Sequence, residues 1–312
     1  MTATAAPAAT PAPAPTHAKL ALPVLLLGAM LISFSAIFVK ASELGPVATG
    51  FYRMFLALPV FAVWMGHEAS GRALRYLPRR WGDWWMFALC GLFLAADLGI
   101  WNWSARLTSA ANATLLGTMA PIYVTLVGFL FFGQRFHILF LLGLAMAIVG
   151  AGLLLGVSFH LGGRPFLGDL LAMSVAVLYA GYLMTLSQLR RRFSTAMVMA
   201  LSGIFTCLAL LIVVLISGEA MLPATLRGWL ILFALALMSQ VAAQSAIAWA
   251  LAHLRAAFGA VALLLTPVAT ALFAWPILGE AIGPLQAVGG LTVLAGIALA
   301  RLGSQKRKSP AG

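Results

Sequence analysis

Acidic side chains are scarce in this chain. It has 7 Asp and Glu against 19 Lys and Arg in 312 residues, so only 8% of it is charged. A soluble domain carries roughly 25% charge, and so sparse a polar set cannot cover a water-soluble body of this size. Cysteine is almost absent too: Cys90 and Cys207 each lie within an apolar run, which argues against a disulfide framework or a cysteine metal site. The catalytic signatures HExxH, GxSxG and GxxxxGK[ST] do not occur, and neither does a channel filter or a ring of charge. His17, His67, His137, His160 and His253 fall in tails or near the ends of apolar runs, so no metal cluster is expected. An intramembrane aspartyl protease needs two carboxylates at depth, and Asp97 is the one good candidate. The expectation is therefore a non-enzyme without cofactor or metal.

What the chain does have is apolar residues, 63% of the total. Ten runs are long enough to cross a bilayer as helices: Leu20 to Val39, Pro46 to Gly66, Trp84 to Trp103, Ser109 to Phe132, Ile138 to Val157, Leu167 to Leu186, Ala196 to Ser217, Trp229 to Ala250, Ala256 to Leu278 and Pro284 to Ala300. Residues 1–19, rich in Ala, Pro and Thr, are expected to be a disordered tail. The first run is too long for a typical signal-peptide core and is expected to be retained. The net charge of +12 does not imply nucleic acid, because membrane proteins gather basic residues in cytoplasmic loops. Assigned to alternate sides of ten spans, the basic residues divide 14 against 4, the 14 lying on the side of both termini. Both termini are thus expected to be cytoplasmic, with residues 303–312 a basic cytoplasmic tail.

Shifted by 146 positions, the chain matches itself in order: Trp103 on Trp249, Pro121 on Pro267, Gly133 on Gly279, Gln134 on Glu280, Gly143 on Gly289 and Gly150 on Gly296. The segment around Phe34 pairs with that around Tyr179 at nearly the same shift. Five spans per half is an odd number, so the second half enters the membrane upside down. Such inverted repeats are characteristic of carriers that expose a midplane site to each side in turn. The two halves are placed at 20–157 and 158–302.

Phe34-Ser35 followed by Phe38-Val39-Lys40, Pro46 and Arg53, then a Pro121 helix ending in Gly133-Gln134, then Pro267 with Leu278-Gly279-Glu280, resembles the EamA-like branch of the drug/metabolite transporter superfamily. The resemblance covers about Leu20 to Leu302. It implies an all-α polytopic membrane protein of ten transmembrane helices in two inverted five-helix repeats. Spans 3, 4, 8 and 9 would surround a central cavity, spans 1, 2, 6 and 7 would pack outside or gate it, and spans 5 and 10 would be peripheral. It further implies export of small metabolites, notably amino acids, with other small amphiphiles, drugs or nucleoside-type metabolites as the alternative; the chain is expected to be a monomer in a bacterial inner membrane, with proton coupling, substrate exchange and facilitated diffusion all left open. Gly-Gln followed by basic Arg135, where the family usually has Gly-Glu, is similar to amino-acid exporters of the YddG type. Phe34 stands where Trp is common.

Polar groups at membrane depth are costly and need a reason. Asp97 and Trp101 are four apart and share a helix face, with Asn102 beside them. Gln240 and Gln244 are likewise four apart, with Trp249 on an adjoining strip. Tyr179 and Tyr182 lie mid-span, and Pro121 and Pro267 are expected to kink their helices. Span 4 adds Asn112, Thr114, Thr118 and Tyr123, of which the threonines read first as hydrogen-bonded ties between helices. Trp101 and Trp249 read equally as interfacial anchors. Aromatic faces, amides and one carboxylate suit a small zwitterion with an apolar side chain. A phosphorylated substrate would call for several intramembrane Lys or Arg, and Arg53 is the only one.

Arg53 sits in the apolar stretch FYRMFLALPVF. Seven residues from Pro46 puts it about 10 Å below the membrane face, at 1.5 Å per residue. Asp97 lies at a similar depth on the oppositely running span. Three readings stand side by side: an ion pair of Arg53 with Asp97 or another acceptor at an outer gate, a side chain snorkelling to water, and direct contact with a substrate carboxylate.

Overall fold

The computed structural model describes residues 15–71, 78, 80–107, 116–155, 163–278 and 283–306, and every element among them is helical. Asn112, Thr114, Gly279, Glu280, Arg72, Arg75, Arg79 and the basic tail from 307 onward lie outside the described residues. Among the described residues, eight helical stretches are long and apolar enough to cross a membrane, and two expected runs are represented by the shorter apolar helices Ala120–Leu130 and Ile138–Leu153. Helix is the natural outcome for such sequences, since it satisfies every backbone polar group within one segment.

The first half comprises α1 (Pro15–Ile32), α2 (Ser35–Ala41), α3 (Pro46–Phe55), α4 (Leu58–Gly71), α5 (Trp81–Leu107), α6 (Ala120–Leu130) and α7 (Ile138–Leu155). The second comprises α8 (Gly163–Leu189), α9 (Thr195–Ser217), α10 (Leu226–Ala234), a π-helical segment Leu235–Gln244, α11 (Ser245–Leu251), α12 (Ala256–Ala262), α13 (Leu265–Leu278) and α14 (Pro284–Lys306). Helix α1 starts inside the stretch that composition assigned to the tail. The α-helix beginning at Pro15 thus extends the first apolar run towards the N-terminus.

Among the described residues four spans are broken. Three of the breaks, at 56–57, 118–119 and 263–264, come two to four residues before Pro59, Pro121 and Pro267. Proline lacks a donor, its ring clashes with the carbonyl four residues back, and it biases the preceding residue away from helix. The fourth break, Ser33–Phe34 between α1 and α2, has no proline. There the Ser33 hydroxyl donates to the Met30 carbonyl at 2.5 Å, and the Phe34 N–H donates to Leu31 O at 3.4 Å. A side chain that competes for backbone carbonyls bends a helix.

Helix α5 packs against α8 and α9, and α9 also packs against α3 and α4. Helices α7 and α14 pair with each other along their length, antiparallel, through glycine. A Cβ on Gly143 would collide with the backbone N of Ala300, one on Gly150 would stand 2.6 Å from Val293 N, and one on Gly296 2.5 Å from Ala147 N. Backbones this close exclude any side chain at those positions. The four glycines matched by the 146-residue shift thus meet crosswise at the α7–α14 contact, Gly143 against Gly296 and Gly150 against Gly289. The outward faces of this pair carry exposed Leu141, Leu142, Val149, Leu291 and Leu302, a surface suited to lipid.

Candidate functional site

Three of the four breaks, at 33–34, 118–119 and 263–264, and the end of the π segment meet at one cavity of about 110 Å³. Its wall combines Ser35 and Ala36 just after the first break, Arg53 on α3, Asp97 and Trp101 on α5, Thr118 and Pro121 at the third break, Tyr179 on α8, Gln244 at the end of the π segment, and Thr266 and Thr270 on α13. Spans 1, 2 and 6, expected to pack outside the cavity or gate it, contribute residues to its wall, and span 8 reaches it through Gln244. Span 1 reaches it around its break at Ser33–Phe34, with Ile32, Ser33, Ser35 and Ala36 on the wall.

Arg53 is 3% exposed and is held by two other helical segments, α2 and the π segment. Its Nε–H donates to Gln240 Oε1 at 3.0 Å, Nη1–H to Ser35 Oγ at 3.0 Å, and Nη2–H to the Ser239 carbonyl at 3.5 Å. Two of these acceptors, Gln240 and the Ser239 carbonyl, belong to the π segment. No direct ion pair joins Arg53 to Asp97 in this structure, although each charge acts on the other across the cavity. The guanidinium is instead bonded to acceptors on α2 and the π segment. Asp97 is 8% exposed, and among the described residues no donor hydrogen-bonds to its carboxylate. One cation and one anion therefore face a shared space, the anion without a hydrogen-bond donor among the described residues.

The remaining sequence candidates divide cleanly. Trp101, Tyr179 and Gln244 line the wall with Asp97. Tyr182 is fully buried behind it; its hydroxyl donates to Gln244 Oε1 at 3.3 Å and its ring stacks on Tyr179 with centroids 5.7 Å apart. Gln240 is the acceptor behind Arg53 and does not line the space. Asn102 lies away from it: its amide donates to the Pro46 carbonyl at 2.7 Å, tying α5 to the start of α3. Trp249 is also elsewhere, packed on His253 with centroids 4.6 Å apart. Pro121 lines the cavity, whereas Pro267 sits one turn into α13 behind its break. Thr118, expected as a tie between helices, is on the wall. Ser35, quoted above only as part of the family motif, lines it as well, and so do Thr266 and Thr270, which had not stood out in the residue pattern. The i, i+4 spacing of Thr266 and Thr270 was a usable signal, though the Thr270 hydroxyl is engaged with Thr266 O at 2.9 Å.

The motif Gly133-Gln134 has a local structural role. Gly133 is left-handed, with φ 58°, and the turn lets the Gln134 N–H return to Gly128 O at 2.9 Å. That closes the end of α6 in a conformation glycine adopts at little cost.

The model of the EamA-like transporter family matches residues 19–156 and again 166–302, nearly the whole chain in two copies. The chain belongs to the EamA-like transporter family. It is therefore a multi-pass membrane transporter and not an enzyme. An uncharacterized transporter from Archaeoglobus fulgidus is 29% identical over 296 residues, covering 91% of this chain and 96% of that protein. A protein of Streptantibioticus cattleyicolor described as a probable terminal-alkyne amino-acid exporter is 28% identical over 239 residues, covering 73% of this chain and 77% of the relative. A solved crystal structure superposes with a TM-score of 0.73 at 20% identity, covering 93% of this chain and 99% of the other, which establishes the shared fold.

Proposed function

We propose that this EamA-like transporter exports a small zwitterionic amino acid with an apolar or aromatic side chain. The observation that carries this is the separated pair of charges on one buried cavity. Asp97 is left for a substrate ammonium, and the part of the Arg53 guanidinium facing the cavity for a substrate carboxylate. A buried carboxylate without a partner is costly, and an α-ammonium donates up to three hydrogen bonds to it. Trp101 and Tyr179 supply flat apolar faces for the side chain. The cavity is smaller than the roughly 300 to 1,000 Å³ of pockets for drug-sized ligands, which favours an amino acid over a bulky drug. That the Streptantibioticus relative is described as an amino-acid exporter supports the same class.

On this reading the chain is a monomer of ten spans in two inverted halves, 20–157 and 158–302, lying in a bacterial inner membrane with both termini inside. It works by alternating access, exchanging the amino acid for a proton or for another substrate. The test is counterflow of labelled amino acid in proteoliposomes containing the purified chain, challenged with a panel of amino acids, nucleosides and cationic drugs. Saturable counterflow driven by neutral apolar or aromatic amino acids is expected. Counterflow driven only by nucleosides or cationic drugs would overturn the assignment.

A further inference from the structure

Two carboxylates cross between the halves on one face of the molecule, and each lands on the start of a helix in the other half. Glu219, in the turn after α9, accepts from the N–H groups of Val47 at 3.4 Å and Ala48 at 2.8 Å, at the start of α3. Glu43, in the turn between α2 and α3, accepts from the N–H groups of Ala224 at 3.0 Å and Thr225 at 3.2 Å, and from the Thr225 hydroxyl, at the start of α10. The free N–H groups and positive end of a helix favour a carboxylate there. Each carboxylate also rests over a glycine. A Cβ on Gly45 would collide with the Glu219 carboxylate, and one on Gly228 would stand 2.6 Å from that of Glu43. The exchange is reciprocal, and the backbone has been kept bare at both ends to admit it.

The opposite face has its own fastening at the equivalent place. The 146-residue shift carries the turn 42–45 onto 188–191 and the turn 218–225 onto 72–79. Just beyond those segments stand Arg192 and Asp83, joined by Nη1–Oδ1 at 2.7 Å and Nη2–Oδ2 at 3.5 Å. This contact again links one half to the other.

We propose that these are the two gates of the transport cycle: a carboxylate clasp, Glu43 with Glu219, on the face of the 1–2 and 7–8 turns, and the Arg192–Asp83 pair on the opposite face. One clasp must release for the cavity to open on its side while the other holds. The proposal rests on the reading of the chain as an alternating-access carrier, and not on the identity of its substrate.

The test uses the full chain carrying Ala36→Cys, a position on the cavity wall, in sealed vesicles of known orientation. A membrane-impermeant maleimide is added to one side at a time. The parent chain, whose Cys90 and Cys207 are buried, supplies the background. Glu43→Gln with Glu219→Gln, and separately Gly45→Ala, whose methyl displaces the Glu219 carboxylate while leaving both glutamates in place, are expected to raise labelling from the clasp face about fivefold or more. Asp83→Asn is expected to raise it from the opposite face. Labelling that is unchanged in all three variants, or raised equally from both faces, would overturn the gate assignment. Protection of the introduced thiol by amino acid, in the chain with both gates intact, reports on the substrate reading independently, so failure of one is distinguishable from failure of the other.

Discussion

Gln240→Leu separates a guanidinium held in place from one that reaches for water. Arg53 and Gln240 are 3% and 1% exposed, and the Nε–H to Oε1 distance of 3.0 Å is that of a full hydrogen bond. The Ser35 contact, also 3.0 Å, survives the substitution, and the contact to Ser239 O at 3.5 Å is too long to replace what is lost. Leucine fills much of the glutamine volume but offers no acceptor. One N–H of a buried cation is left unmatched, which costs about 1.5 to 3 kcal/mol for a bond to a charged group. That is about one to two decades in the folding equilibrium. Gln240→Glu restores an acceptor beside Arg53 and should recover most of the loss. The assay is denaturant unfolding of parent and both variants in the same detergent micelle. If Gln240→Leu matched the parent within about 0.5 kcal/mol, the ordinary range of surface substitutions, Arg53 would be satisfied by water and its place as a three-helix tie would be refuted.

Gly143→Ala should destabilise the α7–α14 pair by about 1 to 3 kcal/mol, since its methyl would meet the Ala300 backbone, whereas Gly152→Ala, with nothing within 4 Å, should be neutral or mildly stabilising in the same unfolding assay. The Thr225 hydroxyl, assisted by the N–H groups of Thr225 and Ala224 and by Arg227, holds the Glu43 carboxyl below its ordinary value of 4.5 against the opposing effect of desolvation. The folded value is the lower one, so this contact's contribution is fully present above about pH 4.5 and is lost as pH falls through the folded value. Glu43→Gln should remove that part of the acid sensitivity, read from thermal unfolding between pH 7 and 3. Should a proton be the exchanged species and Asp97 its carrier, Asp97→Asn will transport equally with and without a pH gradient; a gradient dependence like the parent's would exclude proton coupling through that residue.

The larger architecture was legible because it is written in bulk properties. Run length and the 146-residue glycine and proline matches need only the bilayer and the repeat to be read. The two charges were legible for the same reason, since any ion at depth demands an explanation. Finer placement was not. Adjacent residues on a helix point about 100° apart, so Trp101 and Asn102 could not both face the cavity; the choice depended on the Pro46 carbonyl, which only the packing of α3 on α5 supplies. The four-residue spacing of Gln240 and Gln244 suggested one shared role, but Gln244 lines the wall whereas Gln240 is taken up by Arg53, a partner that only the packing of α3 on the π segment supplies. Nothing in the residue pattern marks that segment. The breaks before Pro121 and Pro267, and the one before Pro59, have a visible cause; the break at Ser33–Phe34 arises from a hydroxyl that only the folded chain aims at Met30 O.

The most direct measurement on the central claim is competition for amino-acid counterflow by three matched ligands: the zwitterion, its amine lacking the carboxylate, and its acid lacking the ammonium. In the parent, each half-molecule should compete at least about tenfold more weakly than the whole, the equivalent of one charge-assisted contact. In Asp97→Asn the penalty for removing the ammonium should vanish while the carboxylate penalty remains, and in Arg53→Gln the pattern should reverse. A parent that binds the amine or the acid as well as the zwitterion, or variants in which both penalties persist unchanged, would contradict a cavity built around Asp97 and Arg53.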